Sequence, residues 1–181
     1  MSANEKVVDM VKPPRVLIVD DQFYTRKVIR TLLQMLGITN VQDAADGESG
    51  LEAITLFAPD VVLLDWEMPG IDGAEFTRRV RRPDSFPYPN VPIIMLTGHG
   101  ERSRVLEAMR LGVHEFLLKP VSSKALQARI VSVLSKPRPM VRRGDACIPQ
   151  PRNPASHKLE IDGYDLTADQ VIAFRPVALR H

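Results

Sequence analysis

The stretch Val61-Val62-Leu63-Leu64-Asp65, followed at once by Trp66-Glu67-Met68-Pro69-Gly70, restricts this chain more than any other. Four consecutive apolar residues, two of them β-branched, spell a strand buried on both faces, and the run stops at a carboxylate. Strands covered on both faces belong to parallel sheets flanked by helices, and the carboxyl ends of such strands open on a crevice where ligands bind. Asp65 is thereby placed at a strand tip facing that crevice.

The pattern recurs along the chain. Arg15-Val16-Leu17-Ile18-Val19 ends in Asp20-Asp21, Val91 to Leu96 ends in Thr97-Gly98-His99, Glu115 to Leu118 ends in Lys119-Pro120, and Val41 to Ala44 is a shorter strand. Helical periodicity fills the gaps. Val28, Ile29, Leu32, Leu33 and Leu36 share one face of a helix that Gly37 stops. Leu51, Ile54 and Phe57 line a second helix, closed by Pro59, and Ala74 to Arg82 forms a third, ended by Pro83. Val105, Leu106 and Met109 point inward from a fourth. Leu126, Ile130, Val133 and Leu134 do so from a fifth, which Ser122 and Ser123 can cap. Five strand-helix units predict an α/β fold with a doubly wound five-stranded parallel sheet in the flavodoxin-like order 2-1-3-4-5. That order sets strands 1, 3, 4 and 5 side by side, so Asp20, Asp21, Asp65, Thr97 and Lys119 converge by topology alone.

A length of 181 residues, 44% of them hydrophobic, supports one well-packed domain with an appendage. The formal charge of +2 is too small to argue for nucleic acid or an anionic membrane as the main partner. The first ten residues lack the apolar core of a signal peptide and no run approaches a membrane span, which reads as a cytoplasmic protein. Cys147 is the sole cysteine, so an intramolecular disulfide is excluded and a zinc cluster is disfavoured. From Pro137 the composition changes. Prolines at 137, 139, 149, 151 and 154 and an excess of basic residues predict an extended, mobile linker. The last apolar stretch, Leu159 to Phe174, offers one short helix capped by Thr167, too little for a DNA-binding module with its own core.

Three carboxylates in one crevice repel one another, since two unit charges about 4 Å apart cost roughly 4 kcal/mol at an effective dielectric near 20. Positive charge must offset this. Magnesium suits an all-oxygen ligand set, and Lys119 supplies an ammonium on a flexible stem. An aspartate so placed can act as a nucleophile toward phosphorus, with a hydroxyl such as that of Thr97 donating to the phosphoryl oxygens.

These motifs, in this order and spacing, resemble a known family. Val-Asp20-Asp21, Leu-Leu-Asp65-Trp-Glu-Met-Pro-Gly-Ile-Asp-Gly, Met-Leu-Thr97-Gly and Phe-Leu-Leu-Lys119-Pro120 are similar to the signature of the response-regulator receiver domain of two-component signalling. The resemblance runs from about Arg15 to Ser135. It divides the chain into a leader (1–14), a receiver domain (15–136) and a proline-rich basic tail (137–181).

The resemblance implies that Asp65 accepts a phosphoryl group from a sensor histidine kinase or a histidine phosphotransfer protein. It implies Mg²⁺ held by Asp21, Asp65 and the backbone carbonyl of Glu67, with Asp20 helping through water. It casts Thr97 and Lys119 as ligands of the acyl phosphate and Phe116 as the aromatic that turns inward when Thr97 moves. Glu67 and His99 fall where the family tunes phosphoryl lifetime, and Lys119-Pro120 where it favours a cis peptide. Output is expected through protein contacts on the face of the fourth helix, fifth strand and fifth helix. No separate catalytic domain and no direct DNA binding are expected. A phosphorelay intermediate or phosphate sink is the alternative role, and self-association through Ile172 and Phe174 of the tail an alternative use of that segment.

Plainer readings stand beside these. Asp20 and Asp21 can cap the first helix, Asp46 and Asp72 read as turn or cap residues, and Phe116 can be plain core. His99 and His114 read as exposed or structural rather than catalytic, Trp66 as partly exposed, and Met35, Met95 and Met109 as core fillers. A haloacid-dehalogenase-like phosphatase also uses a strand-tip aspartate, but needs a second aspartate two positions on, where this chain has Glu67. A flavin-binding flavodoxin-like protein needs a hydroxyl- and glycine-rich phosphate loop after the first strand, where this chain has Asp-Asp-Gln-Phe-Tyr.

Overall fold

The computed structural model describes residues 13–98, 102–151, 159–161 and 164–166. Five strands, β1 (Val16–Val19), β2 (Val41–Ala44), β3 (Val61–Asp65), β4 (Ile93–Thr97) and β5 (Glu115–Leu118), form one sheet in the order 2-1-3-4-5, every pair parallel. Five helices alternate with them: α1 (Phe23–Met35), α2 (Gly47–Phe57), α3 (Gly73–Val80), α4 (Arg102–Leu111) and α5 (Ser123–Ser135).

Alternation along each strand divides the core in two. Leu17, Val19, Val62, Leu64, Ile93 and Met95 face α2, α3 and α4, where they meet Ile54, Phe76, Val80 and Ala108. Val16, Ile18, Val61, Leu63, Ile94 and Leu96 face α1 and α5, meeting Ile29, Leu33, Leu126 and Ile130. Both faces of the central strands are thus dry, which is why the sequence shows continuous apolar runs there. The edge strand β2 exposes Gln42 and Asp43 and has no such run.

Local chemistry fixes the helix starts. Asp46 accepts from the Ser49 amide to begin α2, Asp72 from the Glu75 amide to begin α3, and Ser122 from the Ala125 amide to begin α5. Asp46 and Asp72 are therefore caps, as expected. Gly73 admits α3 close to the sheet: a Cβ there would lie 2.6 Å from the Asp65 carbonyl oxygen and 3.0 Å from the Trp66 Cα. Two apolar assignments on α1 fail. Met35 is 73% exposed and Val28 55%, because α1 meets the sheet only through Ile29 and Leu33, with Leu32 and Leu36 at the margin. Trp66 is likewise buried rather than partly exposed, packed among Met68, Ile71 and Ala74.

A larger departure is the stretch after α5. Instead of an extended linker, Met140–Arg143 (β6) and Ala146–Pro149 (β7) pair antiparallel, with Arg143 opposite Ala146 across the two-residue turn Gly144-Asp145. Gly144 has φ +62°, which suits a turn with glycine at its first central position. An isolated two-stranded hairpin is marginal in water, and this one docks on the domain. The Cys147 amide donates to the Arg81 carbonyl at 2.7 Å, Arg142 pairs with Asp84, and Arg138 donates to the His114 carbonyl. Leu159–Ile161 (β8) and Tyr164–Leu166 (β9) form a second antiparallel pair. The helix expected after Thr167, with Ile172 and Phe174, lies outside the described residues.

Beneath the hairpin sits Arg81, fully buried at the end of α3. Its guanidinium donates to the carbonyls of Gly112 (2.9 Å), Pro89 (2.6 Å) and Val91 (2.9 Å), and its Nη2 lies 3.3 Å from His114 Nδ1. The Ile93 amide also points at His114 Nδ1, which makes that nitrogen an acceptor and the histidine structural. Burial pushes the Arg81 pKa down to about 9. The guanidinium is held by three carbonyl oxygens and the His114 ring, so backbone dipoles carry the charge. Gly112, at φ +99°, leaves room for it: a Cβ there would lie 3.0 Å from Arg81 Nε. Replacing Arg81 by leucine strands several buried carbonyls, each costing about 1–3 kcal/mol. Urea unfolding of Arg81→Leu is therefore expected to show a loss of about 3 kcal/mol or more, and a stability equal to wild type would refute this account of the buried charge.

Candidate functional site

The carboxyl ends of β1, β3, β4 and β5 bring the polar tips together. Asp20 is fully buried just after β1. Its Oδ1 accepts from the Gln22 amide at 2.8 Å, and its Oδ2 lies 2.8 Å from Lys119 Nζ. Lys119 also reaches Asp65 Oδ1 at 2.9 Å, so one ammonium bridges two carboxylates from separate strands. Asp21 is exposed beside them, and one carboxylate oxygen from each of Asp20, Asp21 and Asp65 lies within 4.8 Å of the others. Thr97, buried at the end of β4, accepts from the Lys119 amide through its backbone carbonyl at 2.8 Å. The Lys119-Pro120 peptide is cis.

Electrostatics follows from this packing. Burial raises the Asp65 pKa above the ordinary aspartate value; Lys119 opposes that shift, while Asp20 and Asp21 add to it. Burial works to lower the Lys119 pKa, but hydrogen bonding and attraction to Asp20 and Asp65 outweigh it and leave the ammonium more basic than usual. Three carboxylates against one ammonium leave the crevice with an excess of negative charge. The three acids offer oxygen atoms only, close enough together to share one ion, which fits a hard divalent cation such as magnesium.

The bounds of the crevice come from neighbouring elements. Arg26 of α1 donates to the Asp20 carbonyl at 2.7 Å and pairs with Asp43 of β2, holding the β1 tip. The Glu67 side chain is exposed at the rim and pairs with Arg104 of α4, tying the loop after β3 to that helix. Sequence reading missed both arginines. Arg104 is 37 positions from Glu67, and no local spacing links them. Phe116 is partly buried against the α2-α3-α4 side of the core. His99 lies outside the described residues, and the sequence-based choice of it as a rate-tuning residue rests on position alone.

Comparison with known proteins agrees with this geometry. Residues 16–131 match the family model described as the response regulator receiver domain. The chain is 40% identical over 129 residues to the probable transcriptional regulator ycf27 of Guillardia theta, covering 71% of this chain and 48% of that protein. It is 32% identical to the chemotaxis protein CheY of Pseudomonas aeruginosa, covering 67% of this chain and 97% of that one. It thus spans about half the length of the ycf27 regulator it matches and nearly all of CheY. The crystallized chemotaxis protein CheY4 of Vibrio cholerae superposes with a TM-score of 0.62 at 32% identity, over 68% of this chain and 100% of that one. With the family model covering most of the chain, and the sheet order and the acid cluster in agreement with it, this protein belongs to the response regulator receiver domain family.

Proposed function

We propose that this protein is a phospho-acceptor switch of a two-component phosphorelay, receiving a phosphoryl group on Asp65 from a sensor histidine kinase or a histidine phosphotransfer protein. The observation that carries the reading is the Lys119 ammonium held 2.8 Å from Asp20 and 2.9 Å from Asp65, inside a cluster of three carboxylates. A salt bridge serving stability alone needs one acid. Two buried acids on separate strands around one lysine, with a third acid beside them, suit a site that takes up cations and then a phosphoryl group.

In the transfer, a carboxylate oxygen of Asp65 forms the O–P bond as the N–P bond to the donor imidazole breaks, and the electron pair leaves with the imidazole nitrogen. Magnesium would be held by Asp21, Asp65 and the Glu67 carbonyl, with Asp20 contributing through water, and when bound supplies positive charge to the phosphoryl oxygens. Lys119 turns from Asp65 to the new phosphoryl group, and the Thr97 hydroxyl donates to it. Phe116 follows Thr97 inward, and the face of α4, β5 and α5 changes shape for a downstream protein. The place of action is the cytoplasm; no helix among the described residues is long and apolar enough to cross a membrane. A dehalogenase-like phosphatase finds less support, since the side chain it would need as acid/base is Glu67, which is engaged by Arg104 at the rim.

Titration with Mg²⁺ and then beryllofluoride, followed by Trp66 fluorescence and calorimetry, tests the reading. A saturable beryllofluoride response that requires Mg²⁺ and vanishes in Asp65→Ala is expected; absence of binding by both methods in the wild type would refute it.

Removing the Asp65 charge has a predictable sign. Its pKa is raised on folding, so the folded state prefers the neutral form and stability falls as pH climbs through that pKa. Without Mg²⁺ at neutral pH, Asp65→Asn is expected to melt higher than wild type by about 2–4 °C, the shift for roughly 1 kcal/mol in a domain of this size. Millimolar Mg²⁺ is expected to narrow that gap by stabilising the wild type selectively. An equal or lower melting temperature for the variant without Mg²⁺ would contradict the electrostatic account.

Glu67→Asn and Arg104→Ala each break the rim ion pair. Both are expected to retain phosphorylation while changing the phosphoryl lifetime, read as the first-order decay of labelled protein. Lifetimes equal to wild type in both would remove Glu67 and Arg104 from rate control.

A further inference from the structure

The tail returns to the sheet after its first hairpin. The guanidinium of Arg138, shortly before β6, donates to the carbonyls of Val113 at 3.5 Å and Gln150 at 3.4 Å, and to that of His114. It thereby fastens both ends of the β6-β7 hairpin beside the start of β5, and the chain leaves β7 from that place. Farther on, β8 lies against β5. It does so without joining the hydrogen-bond ladder, because the five-stranded sheet ends at β5 and β8 pairs with β9.

Each of the two surfaces that meet there is incomplete without cover. β5 is an edge of the sheet, paired with β4 on one side, and no other described strand pairs with it. Sheet edges of this kind are blunted in native proteins by laying another part of the chain over them. Phe116 and Leu118, two positions apart and so on one face of β5, are half-buried, whereas Glu115 and Leu117 are buried. The β8-β9 register sets Leu159 opposite Leu166, Ile161 opposite Tyr164 and Glu160 opposite Asp165. Four apolar positions therefore share one face of the ribbon and two acids the other. Two strands of three residues each are marginal by themselves in water, so a ribbon with this pattern needs a surface for its apolar face. The strand it lies against is β5.

We propose that the β8-β9 pair is the resident occupant of the β5 edge: the tail docks on its own receiver domain through the apolar face of the ribbon and covers part of the surface assigned above to output. The docking stands apart from phosphorylation, and only its consequence rests on that reading. A downstream protein that engages β5 has to displace the tail, so the chain carries its own competitor for that face.

Nuclear magnetic resonance of the isotope-labelled full chain, without Mg²⁺, tests this. Nuclear Overhauser effects between residues 159–161 and 115–118 are expected in the wild type and equally in Asp65→Ala, which separates the docking from the phospho-acceptor role. Combining Leu159→Asp with Ile161→Asp is expected to abolish these effects and to shift the Phe116 and Leu118 resonances, while the resonances of β1 and β3 stay in place and report an intact sheet. Glu160→Gln, on the other face of the ribbon, is expected to retain them. Absence of the effects in the wild type, their persistence in the double variant, or their loss in Glu160→Gln or Asp65→Ala would each overturn the proposal. So would a mixture of differently labelled chains in which the effects arise between chains, since the occupant would then be a second copy.

Discussion

Everything at the functional end of this molecule depends on one ammonium between two buried carboxylates. Lys119 arrives on the tip of β5, Asp20 on the tip of β1 and Asp65 on the tip of β3 between them. Without that charge the crevice would hold mutually repelling acids in a poorly solvated place, a cost of several kcal/mol. With it the acids are held close but remain under-neutralised, which leaves affinity for a further cation. The parallel sheet is what makes the arrangement achievable, because it sets the carboxyl ends of β1, β3 and β5 at one edge, where the long Lys119 side chain reaches acids as far as 99 positions away.

Much of this was legible in the sequence for a physical reason. Strands buried on both faces must be continuously apolar, so β1, β3 and β4 announced themselves, and the polar residues at their ends stood out against that background. The caps Asp46, Asp72 and Ser122 were legible because side chain and amide lie three residues apart. The errors have equally physical causes. Met35 and Val28 fell on a plausible helical face, but only a narrow stripe of α1 meets the sheet. Trp66 looked like a rim residue, and its loop folds it inward against Met68 and Ile71.

The tail shows how composition can mislead. Prolines and basic residues from 137 onward suggested an extended, mobile linker, yet the dipeptide Gly144-Asp145 is a hairpin-turn signal in its own right. Proline did not prevent the pairing: Pro149 ends β7 opposite Met140, where a missing amide is tolerated. What composition could not reveal is the docking, since Arg81, Asp84 and His114 are brought to the hairpin only by the completed domain. The rim pair Glu67-Arg104 was hidden for the same reason.

The close approach of α3 at Gly73 carries a mechanical implication. Because that helix begins against the Asp65 carbonyl, with Asp72 capping it and the Gly73 amide donating to the Trp66 carbonyl at 2.9 Å, the wall of the crevice on that side behaves as a fixed jaw. The opposing wall, built from α4, meets it at the surface through exposed ion pairs, Glu67 with Arg104 and Arg78 with Glu107, contacts worth little in water. The two walls of the crevice are thus held with unequal stiffness, one by backbone contact and the other by solvated charge.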